Sequence, residues 1–245
     1  MEEIKIGGKS FLRINKLLSN YGYCSRKEVR KLIEDKRIIV NEKLCEQGQW
    51  VEESDEILLD GEKVKEKERI YIALNKPRGI ICTASREIEG NIIDFLNYEE
   101  YIFPVGRLDK ESEGLILMTN DGDLANKIIS SENYHEKEYI VTVDRDFDDE
   151  FIYKMANGVN ILDTTTRPCE VKKIDDNTFN IVLTQGLNRQ IRRMCKALGY
   201  NVTRLERVRI INVKIDGIKT GKWRYLREEE ILELRNYNEK STTKL

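Results

Sequence analysis

Gly106-Arg107-Leu108-Asp109-Lys110-Glu111-Ser112-Glu113-Gly114 runs straight into Leu115-Ile116-Leu117-Met118. A polar loop bounded by glycines thus abuts an apolar run that reads as a buried strand. An acid between Arg107 and Lys110, on a loop braced by such a strand, suits a rigidly held, ionised carboxylate. The same residues also fit a turn acid in a surface ion pair, so local chemistry alone leaves both readings open.

Working outward, further strand-like runs lie at 70–74, 139–143, 179–183 and 208–215, separated by turns. Between them a helix capped by Asp123 is expected through Ile129, another over 148–155, and a third over 189–198. In the third, Ile191, Met194, Cys195 and Leu198 recur at helical spacing. The pattern predicts an α+β domain with a mixed, mainly antiparallel sheet flanked by helices.

Toward the N-terminus the spacing predicts a helix over 11–19, stopped by Gly22, and a second from a Ser25–Glu28 capping box to residue 35. Val29, Leu32 and Ile33 mark its buried stripe, which turns Arg26, Lys27, Arg30 and Lys31 outward. Short strands at 38–40 and 57–59 complete a small α/β module, and the charged stretch 61–69 reads as a linker. The expected division is a module at 10–66 and a larger domain at 70–235.

The 245 residues are 35% charged and 40% apolar, too polar for a membrane protein and too apolar for a disordered one. No apolar run approaches the roughly 20 residues of a spanning helix. The start Met-Glu-Glu-Ile-Lys carries no secretory pattern, so a cytoplasmic protein is expected. Five scattered cysteines without a C-x-x-C pair suit reduced thiols rather than disulfides or zinc. One histidine, His135, leaves general acid–base work to carboxylates and is expected to be structural. Net charge is only −2, yet Arg13–Lys43 is rich in bases, and Arg189–Arg209 holds seven against the single acid Glu206. Two basic patches therefore emerge from a near-neutral chain.

Several motifs follow one another in fixed order: Asn75-Lys76-Pro77-Arg78-Gly79, the Asp109 loop with its strand, Lys137-Glu138-Tyr139, and Leu183-Thr184-Gln185-Gly186-Leu187-Asn188-Arg189-Gln190-Ile191-Arg192-Arg193-Met194. Together, over about 70–226, they resemble the ribosomal RNA pseudouridine synthases; 135–139 and 205–210 most resemble its large-subunit branch. The resemblance implies detachment of uracil from its ribose, rotation of the base and rejoining through a ring carbon, with no cofactor and no metal. It implies Asp109 as the catalytic carboxylate, acting as nucleophile or by proton abstraction from the sugar. Arg192 is implied as its guanidinium partner, expected to grip the acid bidentately. Tyr139 is implied as the ring on which the extruded base stacks, and Arg107 as the side chain entering the vacated stack. Lys110 and Arg189 fall near RNA phosphates, and Leu108, Gln190 and Ile191 complete the substrate-binding set.

The motifs L-R-I-N-K-L-L, S-R-K-E-V-R-K-L-I and I-I-V-N resemble an RNA-binding module shared with a small-subunit ribosomal protein. That likeness implies phosphate and shape contacts from Arg13, Arg26, Lys27 and Arg30. Asp35-Lys36 and Glu42 replace glycines usual in its turns, which puts the turn geometry in question. The expected partner is ribosomal RNA, 23S first, with 16S RNA or a transfer RNA anticodon stem open, and the expected state is a monomer. A non-catalytic assembly factor and an Asp-dependent nucleosidase are the competing readings.

Overall fold

An amphipathic helix this short needs a partner to cover its apolar stripe, and the pairing of two such helices organises the first of two units. The computed structural model describes residues 3–6, 8–52, 54–130, 132 and 134–241. One unit comprises 1–70 with 99–102 and 120–123; the other takes the remainder.

In the first unit β1 (Glu3–Ile6), β2 (Lys9–Arg13), α1 (Ile14–Asn20), α2 (Arg26–Glu34), β3 (Ile38–Val40), β4 (Lys43–Leu44), β5 (Trp50–Glu52), β6 (Ile57–Leu59) and β7 (Glu62–Lys63) follow in order. They form two antiparallel sheets, β1-β2-β5 and β4-β3-β6-β7. Ile14, Leu17 and Leu18 of α1 pack with Val29 and Ile33 of α2 over Ile38, Val51 and Ile57. Each such buried aliphatic contributes about 1.5–3 kcal/mol. Ser25 accepts from the Glu28 N–H at 3.2 Å and Glu28 accepts from the Ser25 N–H at 2.7 Å, which closes the expected capping box.

Three expectations need correction here. The first helix begins at Ile14 rather than residue 11, because Phe11–Arg13 pair with Trp50–Glu52 and a ladder outcompetes the helix there. The stretch 61–69 is not a free linker: Glu62–Lys63 pair with Leu58–Leu59, and Val64 is buried in the module core. The turns lacking glycine keep left-handed backbone anyway, with φ of 58° at Lys36, 48° at Asn41 and 64° at Glu42. Side chains tolerate that region at a cost, so these turns carry local strain imposed by the elements they join.

The second unit adds β8 (Tyr71–Lys76), α3 (Ile92–Leu96), β9 (Phe103–Pro104), β10 (Glu113–Thr119), α4 (Gly122–Ile129), β11 (Lys137–Val143), α5 (Asp149–Asn157), β12 (Asn160–Ile161), β13 (Thr164–Thr165), β14 (Glu170–Lys173), β15 (Thr178–Leu183), α6 (Gln190–Ala197), β16 (Val202–Ile210), β17 (Val213–Lys214), β18 (Trp223–Tyr225) and α7 (Glu228–Ser241). Its sheet runs β14-β15-β11-β16-β10-β8-β18, with β9 on β10 and β17 on β16. Every ladder is antiparallel except β10–β16, so the α+β class and the mixed, mainly antiparallel sheet are as expected. Every residue of β8 is buried, which fits its place inside the sheet.

Two expectations shift. Asp148 caps α5 by accepting from the Phe151 N–H at 2.9 Å, but Asp123 lies inside the first turn of α4 rather than capping it. The single strand expected over 208–215 is a hairpin: β16 ends at Ile210, Ile211 takes φ 53°, and β17 folds back. At Gly114 the parallel pair comes so close that a Cβ would stand 2.3 Å from the Arg207 carbonyl oxygen. Only glycine fits there, and that contact anchors the Asp109 loop to the sheet.

Candidate active site

The Asp109 loop is a tight structure before it is a site. Gly106 supplies φ 77°, Leu108 is buried, and the Ser112 N–H donates to the Asp109 carbonyl at 3.0 Å. The Lys110 carbonyl accepts from the Gly79 N–H at 2.8 Å, tying the N-K-P-R-G motif to the loop. Opposite, α6 starts at Gln190, whose side chain accepts from the Leu187 N–H at 3.0 Å; before it Arg189 sits in a left-handed conformation, φ 50°. Strain of this kind gathers where geometry serves a site.

Between these segments opens a cleft of about 540 Å³. Arg107, Leu108, Asp109, Tyr139, Arg189, Gln190 and Ile191, all named from the sequence, line it. Asp109 is the only carboxylate among the described lining residues, and its side chain is 30% exposed, open enough to meet a substrate. Arg189 Nη1 lies 3.7 Å from Asp109 Oδ2 and 3.0 Å from Glu111 Oε2. Its hydrogen bond holds the Glu111 carboxyl below the usual carboxylate range.

Arg192 lies behind the acid, but not as a bidentate partner. Its Nε is buried without a hydrogen-bond partner, 3.8 Å from Asp109 Oδ2. The terminal nitrogens serve the protein instead: Nη1 donates to the Val202 carbonyl at 3.3 Å, and Nη2 to Ser112 Oγ at 3.2 Å and the Glu111 carbonyl at 3.4 Å. The expected fork-to-carboxylate grip is therefore corrected to an ion pair made by a guanidinium whose outer edge is clamped by loop and strand. Burial lowers its pKa, with Arg189 adding to the effect, and Asp109 acts against both.

Lys110 is exposed and stands outside the cleft lining. His135 is buried, its Nδ1 3.2 Å from the Ile128 carbonyl and its ring edge-on to Tyr237, a structural role. Two cations of the lining, Lys137 and Arg207, lie in stretches quoted from the sequence but were given no role there. A period-two signal could have found them: Lys137 precedes Tyr139 by two on one strand, and Arg207 is the cross-strand partner of Tyr139. Burial, and then Arg207, push the Lys137 ammonium down to about 8.

In the first unit Lys27 and Arg30 are exposed on α2, and Arg26 and Arg30 flank a hollow of about 420 Å³ with Asn15, Glu34 and Gln47. Arg13 differs from expectation: its guanidinium donates to the Gly48 carbonyl and stacks 4.4 Å over Trp50, an internal brace. No group of three or more His, Cys, Asp or Glu residues among those described is arranged to hold a metal. No described helix is long and apolar enough to cross a membrane.

Residues 70–197 match the RNA pseudouridylate synthase family and residues 12–57 the S4 domain. The chain belongs to the RNA pseudouridine synthase family and is an enzyme of that class with an N-terminal S4 domain. It is 49% identical to the dual-specificity RNA pseudouridine synthase RluF of Salmonella typhi, over 91% of this chain and 78% of that protein. Against RluF of Escherichia coli K12 identity is 46%, covering 96% of this chain and 82% of that protein. The ribosomal large subunit pseudouridine synthase B of Bacillus subtilis is 33% identical, covering 91% and 95%. A crystal structure of a pseudouridylate synthase superposes with a TM-score of 0.68 at 28% identity, covering 91% of this chain and 99% of the other.

Proposed function

We propose that this chain converts one specific uridine of ribosomal RNA to pseudouridine, with 23S RNA as its main substrate, and works as a cytoplasmic monomer. The observation that carries the reading is the cleft itself, with a lone carboxylate, Asp109, within ion-pair range of Arg189 and Arg192 and a strand tyrosine, Tyr139, in the same lining. Asp109 acts on the nucleotide, as nucleophile or by taking a sugar proton. Arg192 positions that acid through the ion pair at 3.8 Å. Tyr139 stacks the extruded base while Arg107 enters the gap it leaves. Arg189 and Lys110 meet phosphates, and Leu108, Gln190 and Ile191 shape the wall.

Residues 10–66 form the RNA-holding part, through Arg26, Lys27 and Arg30 with Arg13 as their brace, and 70–235 the catalytic part. The relatives' names support large-subunit RNA, and the words dual-specificity favour a second RNA target. A transfer RNA anticodon stem and 16S RNA are the two candidates for it. A nucleosidase would need a second carboxylate to activate water, and the described cleft lining offers none.

The test is incubation of the purified chain with protein-free ribosomal RNA and with transfer RNA, followed by carbodiimide treatment and primer extension. A new stop in 23S RNA, absent with Asp109→Asn, is the expected result. Free uracil would indicate a nucleosidase, and RNA binding without any stop an assembly factor; either overturns the proposal.

A further inference from the structure

Two cations in the cleft lining remain without a task, and both adjoin Tyr139. Arg207 is 3% exposed; its Nε donates to the Leu115 carbonyl at 2.7 Å, while its Nη2, also buried, has no hydrogen-bond partner. A buried guanidinium donor left unmet is unfavourable unless a ligand supplies the acceptor. Lys137 carries three donors, one of them given to the His135 carbonyl at 3.2 Å. Tyr139 lies opposite Arg207 in register and two residues after Lys137 on the same strand, so the two donors flank the ring proposed to carry the base. Asp109 being the only acid in the described lining, no carboxylate of the cleft wall pairs with them there.

Uracil presents two carbonyl oxygens, O2 and O4. When the C1′–N1 bond breaks, its electron pair stays on N1 and spreads onto both oxygens. The base then bonds to C1′ through C5, C5 loses its proton, and N1 gains one, so nothing is consumed. Negative charge on the base is greatest between the two bonds. Preorganised donors aimed at developing charge are the most effective form of electrostatic catalysis.

We infer that Arg207 and Lys137 bind the carbonyl oxygens of the extruded uracil, hold the charge it carries between bond breaking and bond making, and select uracil over cytosine. The inference rests on the isomerase reading. Discrimination follows because cytosine turns an amino donor toward these cations where uracil offers O4. Burial, which already disfavours the Lys137 ammonium, is offset once the base brings negative charge beside it.

The test uses a stem-loop RNA cut from the mapped site, carrying uridine, 2-thiouridine or 4-thiouridine at the target, with wild type, Arg207→Gln and Lys137→Met. On uridine each variant is expected to slow single-turnover isomerisation about 100-fold, with RNA affinity within about twofold. Sulfur, a weak acceptor, is expected to slow the wild type about tenfold. In the variant that has lost the donor to that atom, it should cost no more than about twofold further. Multiplicative losses for both variants with both sulfurs would mean structural roles and overturn the inference while leaving the isomerase reading intact. Should thermal melting show Arg207→Gln to be unfolded, Lys137→Met decides by the same criterion. No pseudouridine from the wild type on any RNA removes the isomerase reading itself, and the inference with it.

Discussion

Positive charge does two different jobs in this molecule. On α2 the side chains of Lys27 and Arg30 are exposed to solvent. Around Asp109 the guanidinium of Arg192 is mostly buried and fixed at its outer edge by Ser112 and the Val202 carbonyl. Exposed charges act by number and are screened by salt. Enclosed ones act by position, and a displacement of about 1 Å can cost 100-fold in rate. The first region should therefore tolerate exchange of one cation for another, and the second should not.

The sharpest way to break that contrast is Asp109→Asn. Turnover should fall at least ~10⁴-fold, as when an acting nucleophile is removed, while the RNA dissociation constant in filter binding stays within about twofold. Arg192→Lys keeps the charge but loses the planar fork, and single-turnover rate should drop about 100-fold. A tenfold or smaller loss would show that charge alone suffices. In the module, Arg26→Ala, Lys27→Ala and Arg30→Ala combined should weaken RNA binding roughly tenfold at about 0.15 M salt and flatten the salt dependence. Exchanging cation for cation at the same three positions, by Arg26→Lys, Lys27→Arg and Arg30→Lys together, should change affinity less than about threefold.

A further outcome concerns stability in the catalytic unit. Burial alone would raise the Glu230 carboxyl, but hydrogen bonds from Arg224 at 2.7 and 2.8 Å and from the Arg227 N–H at 2.8 Å outweigh it and hold it at about 2. A carboxyl depressed in the folded state stabilises above its unfolded pKa and loses that contribution as pH falls toward its folded one. Glu230→Gln should therefore cost about 2 kcal/mol at pH ~7, and its melting temperature should approach that of the wild type below pH ~3. The smallest effect is expected at Glu42→Gly, where φ is 64°. Relief of strain less the added freedom of the unfolded chain should leave about 0.5 kcal/mol of stabilisation by denaturant titration.

What could be read in the sequence was whatever a local rule governs. The capping box at Ser25, the stripe Val29, Leu32, Ile33 and the strand after Gly114 all follow from spacing, and each formed where expected. The short strand 9–13 did not show, because it is held extended between Glu3–Ile6 on one side and Trp50–Glu52, far along the chain, on the other. Asp109 and Tyr139 stood out through motif order. Lys137 and Arg207 lay in the same quoted stretches but drew no role, because a cation on a strand reads as solvent-facing until the sheet encloses it. The Arg192 contact was named correctly as a pair but with the wrong geometry, since the competing acceptors Val202 and Ser112 come from segments that only the fold brings together.

The parallel pairing of Glu113–Gly114 with Glu206–Arg207 carries a further consequence, for synthesis. Long-range pairings of this kind close late, because a large loop must be ordered before they form. During translation Glu113–Gly114 leave the ribosome long before Glu206–Arg207, so the close contact at Gly114 that anchors the Asp109 loop cannot form until β16 has been made.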